Sequence, residues 1–144
     1  MKRLYPVLAI FLMGSLLWVS CKKEPGHVTV QHILISFEGA IPKETVTRTK
    51  EQAEELAGEI FERAKKGEDF DALVEEYTDD EYPGVYKMAN FEAEPNRDQG
   101  EYARSQMMKE FGDVSFKLSV DEIGMAEFSP ERSKYGWHII KRLQ

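Results

Sequence analysis

An α+β fold, with strands at both ends and helices between them, is what the sequence predicts for residues 28–144. Three observations predict it. The run from Val28 to Phe37 carries apolar residues at both parities, as a strand covered on both faces does. Between Thr49 and Gly67, apolar residues recur at spacings of three and four, the mark of an amphipathic helix. Two further apolar runs, Ile123–Phe128 and Gly136–Leu143, read as closing strands. The resulting order is β-α-α-(β)-α-α-β-β, with the first and last strands free to pair.

Residues 1–21 stand apart as a signal peptide. Lys2 and Arg3 precede an apolar stretch from Leu4 to Val19, and Ser20-Cys21 follows, a secretory pattern with a small residue before the cleavage point. As a helix those 16 residues would reach about 24 Å, short for a bilayer core of about 30 Å, so a cleaved signal is expected. Leu17-Trp18-Val19-Ser20-Cys21 resembles a bacterial lipoprotein signal, which implies lipidation of Cys21 and an exported, membrane-anchored product. Trp18 departs from that pattern, which commonly has Leu there. Cys21 is the only cysteine, so an intrachain disulfide is impossible. Without residues 1–21 the chain holds 17 basic against 26 acidic residues, a net charge of about −9, which repels phosphate backbones and argues against a nucleic-acid partner.

The remaining elements follow in order. Residues 22–27, polar with Pro25 and Gly26, form a tether to a single domain over 28–144. Glu38 to Val46 is a loop. Thr49 and Gln52 have capping-box spacing, and Ala53, Leu56, Ala57, Ile60, Phe61 and Ala64 make the buried stripe that ends at Gly67. Asp69 is positioned to cap a shorter helix burying Phe70, Leu73, Val74 and Tyr77. Gly84–Phe91 is a candidate strand, Glu92–Gly100 a loop, Glu101–Glu110 a candidate helix and Asp113–Leu118 a further helical turn or two.

Two of the three histidines, His32 and His138, interrupt otherwise apolar strands. A lone strand histidine is commonly a satisfied core residue; two at opposite ends of the chain suggest a purpose. Five blocks then appear in sequence: V-Q-H-I-L-I-S, T-R-T-K-E-Q-A-E-E-L, D-F-D-A-L-V-E-E-Y-T-D-D, S-Q-M-M-K-E-F-G-D-V-S-F-K-L and Y-G-W-H-I-I. Together they resemble a parvulin-type peptidyl-prolyl isomerase, or rotamase, from about Val30 to Leu143.

The resemblance implies a four-stranded antiparallel sheet surrounded by helices, with the two histidine strands adjacent. It implies catalytic roles for His32, Asp80, Ser133 and His138, and a proline pocket made by Met107 and Phe111, with Tyr86 in place of a pocket leucine. Two neutral imidazoles beside a hydroxyl such as Ser133 are expected to satisfy one another by hydrogen bonding. The implied reaction is non-covalent and independent of metal or cofactor. Its partners would be proline-containing unfolded or exported polypeptides. The family's G-G-D-L-G strand is absent, and Glu92–Arg104 and Ser129–Arg132 are longer than usual. These departures keep a second reading open: a parvulin fold that binds unfolded chains as a chaperone with weak or no catalysis. A metal site from His27, His32 and His138 lacks H-E-x-x-H spacing or a cysteine pair. A purely structural envelope lipoprotein would neither bind nor catalyse. The first loop carries only Lys43 and Arg48, too sparse a cluster for phosphate-directed specificity.

Overall fold

The computed structural model describes residues 23–144. The signal segment and Cys21 lie outside the described residues. The first strand, β1 (His27–Ile35), lies at the centre of a five-stranded sheet. Its neighbours are β2 (Val85–Ala89) and β5 (Trp137–Arg142), both antiparallel to it. β4 (Ile123–Ala126) flanks β5, and β3 (Tyr102–Ala103) flanks β2. The central position explains the double apolar parity of β1. Ile33 and Ile35 face one core cluster, while Val28 and Val30 face the other.

One face of the sheet is covered by α1 (Lys50–Lys65) and α2 (Phe70–Tyr77). Thr49 and Gln52 close the anticipated capping box at the start of α1. The helix buries Ala53, Ala57, Ile60 and Ala64, and its small residues let it approach Trp137 and Ile139 of β5 closely. Asp69 caps α2 by accepting from the Ala72 N–H at 2.9 Å. The opposite face is covered by α3 (Lys109–Lys117), through Phe111 and Phe116.

The expected four-stranded antiparallel sheet is present as β2-β1-β5-β4, and a short fifth strand, β3, runs parallel to β2, so the full sheet is mixed. One expectation is corrected. Residues 101–108 do not form a helix: Tyr102 and Ala103 pair with Met88 and Ala89, and a single 3-10 turn (Arg104–Gln106) follows. The Ala103 N–H is taken by the Gln106 side chain at 2.8 Å, which ties the end of β3 to that turn. The helical pattern of this region is consolidated in α3, which runs straight through Gly112. No helix among the described residues is long and apolar enough to cross a membrane.

Candidate active site

His32 and His138 lie on the α3 side of the sheet. Register places Leu34 opposite His138 and His32 opposite Ile140, so the histidines are diagonal neighbours on one face. Their ring centroids are 5.4 Å apart. Phe111 presents its edge to both, at 5.2 and 5.3 Å.

Two glycines seat the histidines. The Gly84 carbonyl accepts both the backbone N–H of His32 at 2.9 Å and its ring Nδ1–H at 3.1 Å. Gly84 has φ +65°, and an added Cβ would lie 2.5 Å from the His32 carbonyl oxygen. Gly136, at φ +138°, lets the chain pass so close to β1 that a Cβ would meet the Ile35 carbonyl at 2.2 Å.

The end of α2 is zipped to the end of β1. Leu34 donates its N–H to Thr78 Oγ1, and Asp79 donates its N–H to the Leu34 carbonyl. The Asp79 carboxylate accepts from the Ser36 N–H and from Arg48, so this charge is spent on the scaffold. The next residue, Asp80, is left over the cleft with its side chain 33% exposed. Its Oδ2 lies 3.3 Å from His32 Nε2 and accepts from the Tyr86 hydroxyl at 3.2 Å. The His32 imidazole beside Asp80 holds its carboxyl down to about 2, outweighing the effect of burial. Burial, with the Asp80 charge second, pushes the Tyr86 phenol up to about 12. The site therefore presents a carboxylate supported by a phenol and an imidazole.

His138 differs from His32. Among the described residues neither of its ring nitrogens has a hydrogen-bond partner, and burial pushes its value down to about 3, with the His32 ring next in effect. The expected mutual hydrogen bonding of the two imidazoles with Ser133 is not present. Ser133 is buried and donates its hydroxyl to the Gly136 carbonyl at 3.0 Å, closing the turn into β5. Its bond to Gly136 ties it to the backbone that leads to His138.

His32, Asp80 and His138 line a cleft of about 640 Å3, with Met107 and Phe111 on the α3 side and Tyr86 on the β2 side. Leu34, Ile41, Pro42, Lys43, Asp79, Glu81, Gln106, Met108 and Tyr135 complete it. Sequence reasoning missed most of these. Met108 adjoins the M-x-x-x-F spacing and Tyr135 opens the Y-G-W-H-I-I block, so both had a local signal. Ile41 and Lys43 come from a loop whose path depends on Lys43 donating to the Asp79 carbonyl at 3.0 Å. His27, the third histidine, is bonded to Glu101 at 2.9 Å, apart from the other two. Among the described residues no three His, Cys, Asp or Glu side chains are grouped to hold a metal.

The description "PPIC-type PPIASE domain" matches residues 16–144. The chain belongs to the parvulin-type peptidyl-prolyl isomerase family. Among curated relatives, foldase protein PrsA 4 of Bacillus cereus is 35% identical over 100 residues, covering 69% of this chain and 31% of its own length. Foldase protein PrsA of Geobacillus kaustophilus is 32% identical over 114 residues, 79% of this chain and 36% of that protein. Chaperone SurA of Chromohalobacter salexigens is 35% identical over 115 residues, 78% of this chain and 21% of that protein. The chain thus spans about a third or less of the length of these relatives. The parvulin fold is shared with peptidyl-prolyl isomerase ESS1 from Candida albicans, at TM-score 0.59 and 20% identity over 83% of this chain and 63% of that one. It is shared also with the TbPIN1 solution structure, at TM-score 0.57 and 22% identity over 83% of this chain and 98% of that one. Within this parvulin domain Tyr86 lines the cleft.

Proposed function

We propose that this domain is a peptidyl-prolyl cis-trans isomerase that assists the folding of exported, proline-containing polypeptides. The observation that carries the proposal is the Asp80 carboxylate, held by His32 and Tyr86 at the mouth of a cleft floored by Phe111 and walled by Met107. An X–Pro bond rotates over a barrier of about 20 kcal/mol because amide resonance is lost on twisting. The planar amide carries partial negative charge on oxygen and partial positive charge on nitrogen; the twisted amide has lost this separation. An apolar pocket favours the less polar twisted form, and a carboxylate near the carbonyl oxygen opposes the planar one. Met107 and Phe111 hold the proline ring while the preceding residue rotates. The mechanism requires no covalent intermediate. Ser133 and His138 serve as positioning residues, and His32 orients Asp80.

The setting is part of the same proposal. The basic start, apolar run and Ser20-Cys21 support export and a lipid anchor at Cys21 in the cell envelope, outside the cytoplasm. The match to proteins named foldase supports a folding role. Membrane fractionation and mass analysis of the N-terminus test the anchor: wild-type protein should sediment with membranes carrying lipid on Cys21, and Cys21→Ala should release or misprocess it. A soluble, unmodified wild type would overturn the anchor.

The similarity to a protein named chaperone favours one second reading, a cleft that binds unfolded chains without catalysis. A peptide isomerisation or proline-limited refolding assay on the purified protein decides between them. We expect acceleration by wild type and at least a tenfold loss in Asp80→Asn, with the melting temperature changed by no more than a few degrees. Binding of unfolded chains without acceleration would replace the enzyme with the chaperone.

A further inference from the structure

The proline floor is one end of a longer aromatic row. Phe111 lies 5.9 Å from Tyr86, and Tyr86 lies 5.9 Å from Tyr102, measured between ring centroids. Tyr102 is 45% exposed although it sits on a paired strand. It belongs to β3, the strand supplied by the lengthened segment that runs from Glu92 to Arg104. Register sets its direction: Tyr102 pairs with Met88, which together with Tyr86 and Phe111 belongs to the α3-side cluster.

The ring is held on a stiff support. Before it, Glu101 is buried; its carboxylate accepts from the Asn96 N–H at 2.7 Å and contacts His27 at 2.9 Å. After it, the Ala103 N–H is bonded to Gln106, and the buried Arg104 guanidinium is ion-paired to Glu24 and Asp113. An exposed aromatic ring fixed in this way offers binding area at little cost in ordering.

The cleft also has a direction. Tyr102 stands level with Val28, since Met88 pairs with both Tyr102 and Val28. Lys43 is tied to Asp79, which is bonded to Leu34 toward the other end of β1. The proline floor lies between a cationic end and an aromatic end. The two ring-to-ring steps from Phe111 to Tyr102 fit about three residues of extended chain at about 3.4 Å each.

We propose that Tyr102, with Tyr86, forms a specificity subsite for a large apolar or aromatic side chain of the substrate, within about three residues of the proline on the flank away from Lys43. This rests on the cleft being the substrate site of a prolyl isomerase or chaperone. The subsite is a feature of the β3 segment, so it distinguishes this chain's preference from that of parvulin domains lacking that segment.

The test uses short peptides with a central proline in which Phe or Ala is placed at each of three positions on either side. Both kcat/KM for isomerisation and Kd by titration are measured for the full-length protein in detergent, with wild type, Tyr102→Ala and Tyr102→Phe. Wild type should favour Phe over Ala about tenfold or more at positions on one flank only. Tyr102→Ala should remove most of that ratio, Tyr102→Phe should keep it, and all three proteins should melt alike. Peptides that bind with the Tyr102-dependent preference but are not isomerised would overturn the enzyme reading and support the subsite. Isomerisation with no Phe preference, or a preference equal in wild type and Tyr102→Ala, would overturn the subsite while leaving the enzyme reading intact.

Discussion

At the scale of single residues, the two strand histidines have different physics despite similar sequence contexts. His32 is anchored at both nitrogens, by the Gly84 carbonyl and by Asp80. Replacing His32 with Leu leaves those two acceptors short of a partner and should cost about 1–3 kcal/mol, along with activity. His138 has no hydrogen-bond partner among the described residues to strand. His138→Leu should therefore be near neutral or stabilising in the melt, while changing the cleft. His138 also has an acid signature of its own. Burial pushes His138 from 6.5 down to about 3, so between those values the unfolded chain carries the proton and the folded chain does not. Unfolding then takes up a proton, and stability falls as pH falls, by up to about 1.4 kcal/mol per pH unit from this group. Denaturant melts from pH 7 to pH 4 should show this slope in wild type and a shallower one in His138→Leu; parallel curves would refute it. Asp80 acts in a lower window. Its depressed carboxyl stabilises the fold above its ordinary value near 3.8, and that contribution is lost as pH falls through about 2. Isomerase activity should therefore survive to pH values at which an ordinary carboxylate is already protonated, as long as the domain stays folded.

At the scale of elements, caps and glycines position the site. Thr49 satisfies the start of α1, and Thr49→Ala should cost about 1 kcal/mol without affecting the cleft, which α1 does not line. Gly136→Ala is predicted to be far more damaging. It combines a positive φ with a Cβ placed 2.2 Å from the Ile35 carbonyl, and it would shift the backbone that delivers His138. Loss of more than about 1 kcal/mol together with reduced isomerisation is expected; an unchanged melting temperature would show that the strand can move. The capping box, the α1 stripe and the Asp69 cap were all legible in the sequence, because each is set by contacts within a few residues. The stretch from Glu101 to Glu110 was not legible. Its residues suit a helix, but β2 offers them a ladder and the Gln106 side chain takes a backbone N–H.

At the scale of the whole molecule, Arg104 joins parts distant in sequence. It pairs with Glu24 of the tether at 2.6 Å and with Asp113 of α3 at 2.7 Å, bonds Asn90 at 2.9 Å, and lies against the Phe91 and Phe116 rings. Arg104→Met would leave two carboxylates without their shared partner. Asp113 keeps Lys109 and Arg132, and Glu24 is part-exposed, so a loss of about 1–3 kcal/mol is expected, with faster proteolysis around residues 23–26. A variant as stable and as resistant as wild type would mean that the clasp carries no net energy.

The α+β class, the order of most elements and the coming together of His32, Asp80, Tyr86, Met107, Phe111 and His138 in one region followed from the sequence. Periodicity and capping are local signals, and the family resemblance linked the blocks. The tertiary structure alone decided how those residues are wired. It placed Ser133 on the Gly136 carbonyl, left His138 without a partner, gave Asp79 to Arg48 and left Asp80 for the cleft. It also added β3 and brought Tyr102 beside Tyr86. Hydrogen-bond partners 40 or more residues apart, such as His32 and Asp80, are chosen by register and by competition among nearby acceptors, and neither is written in the residues flanking a given position.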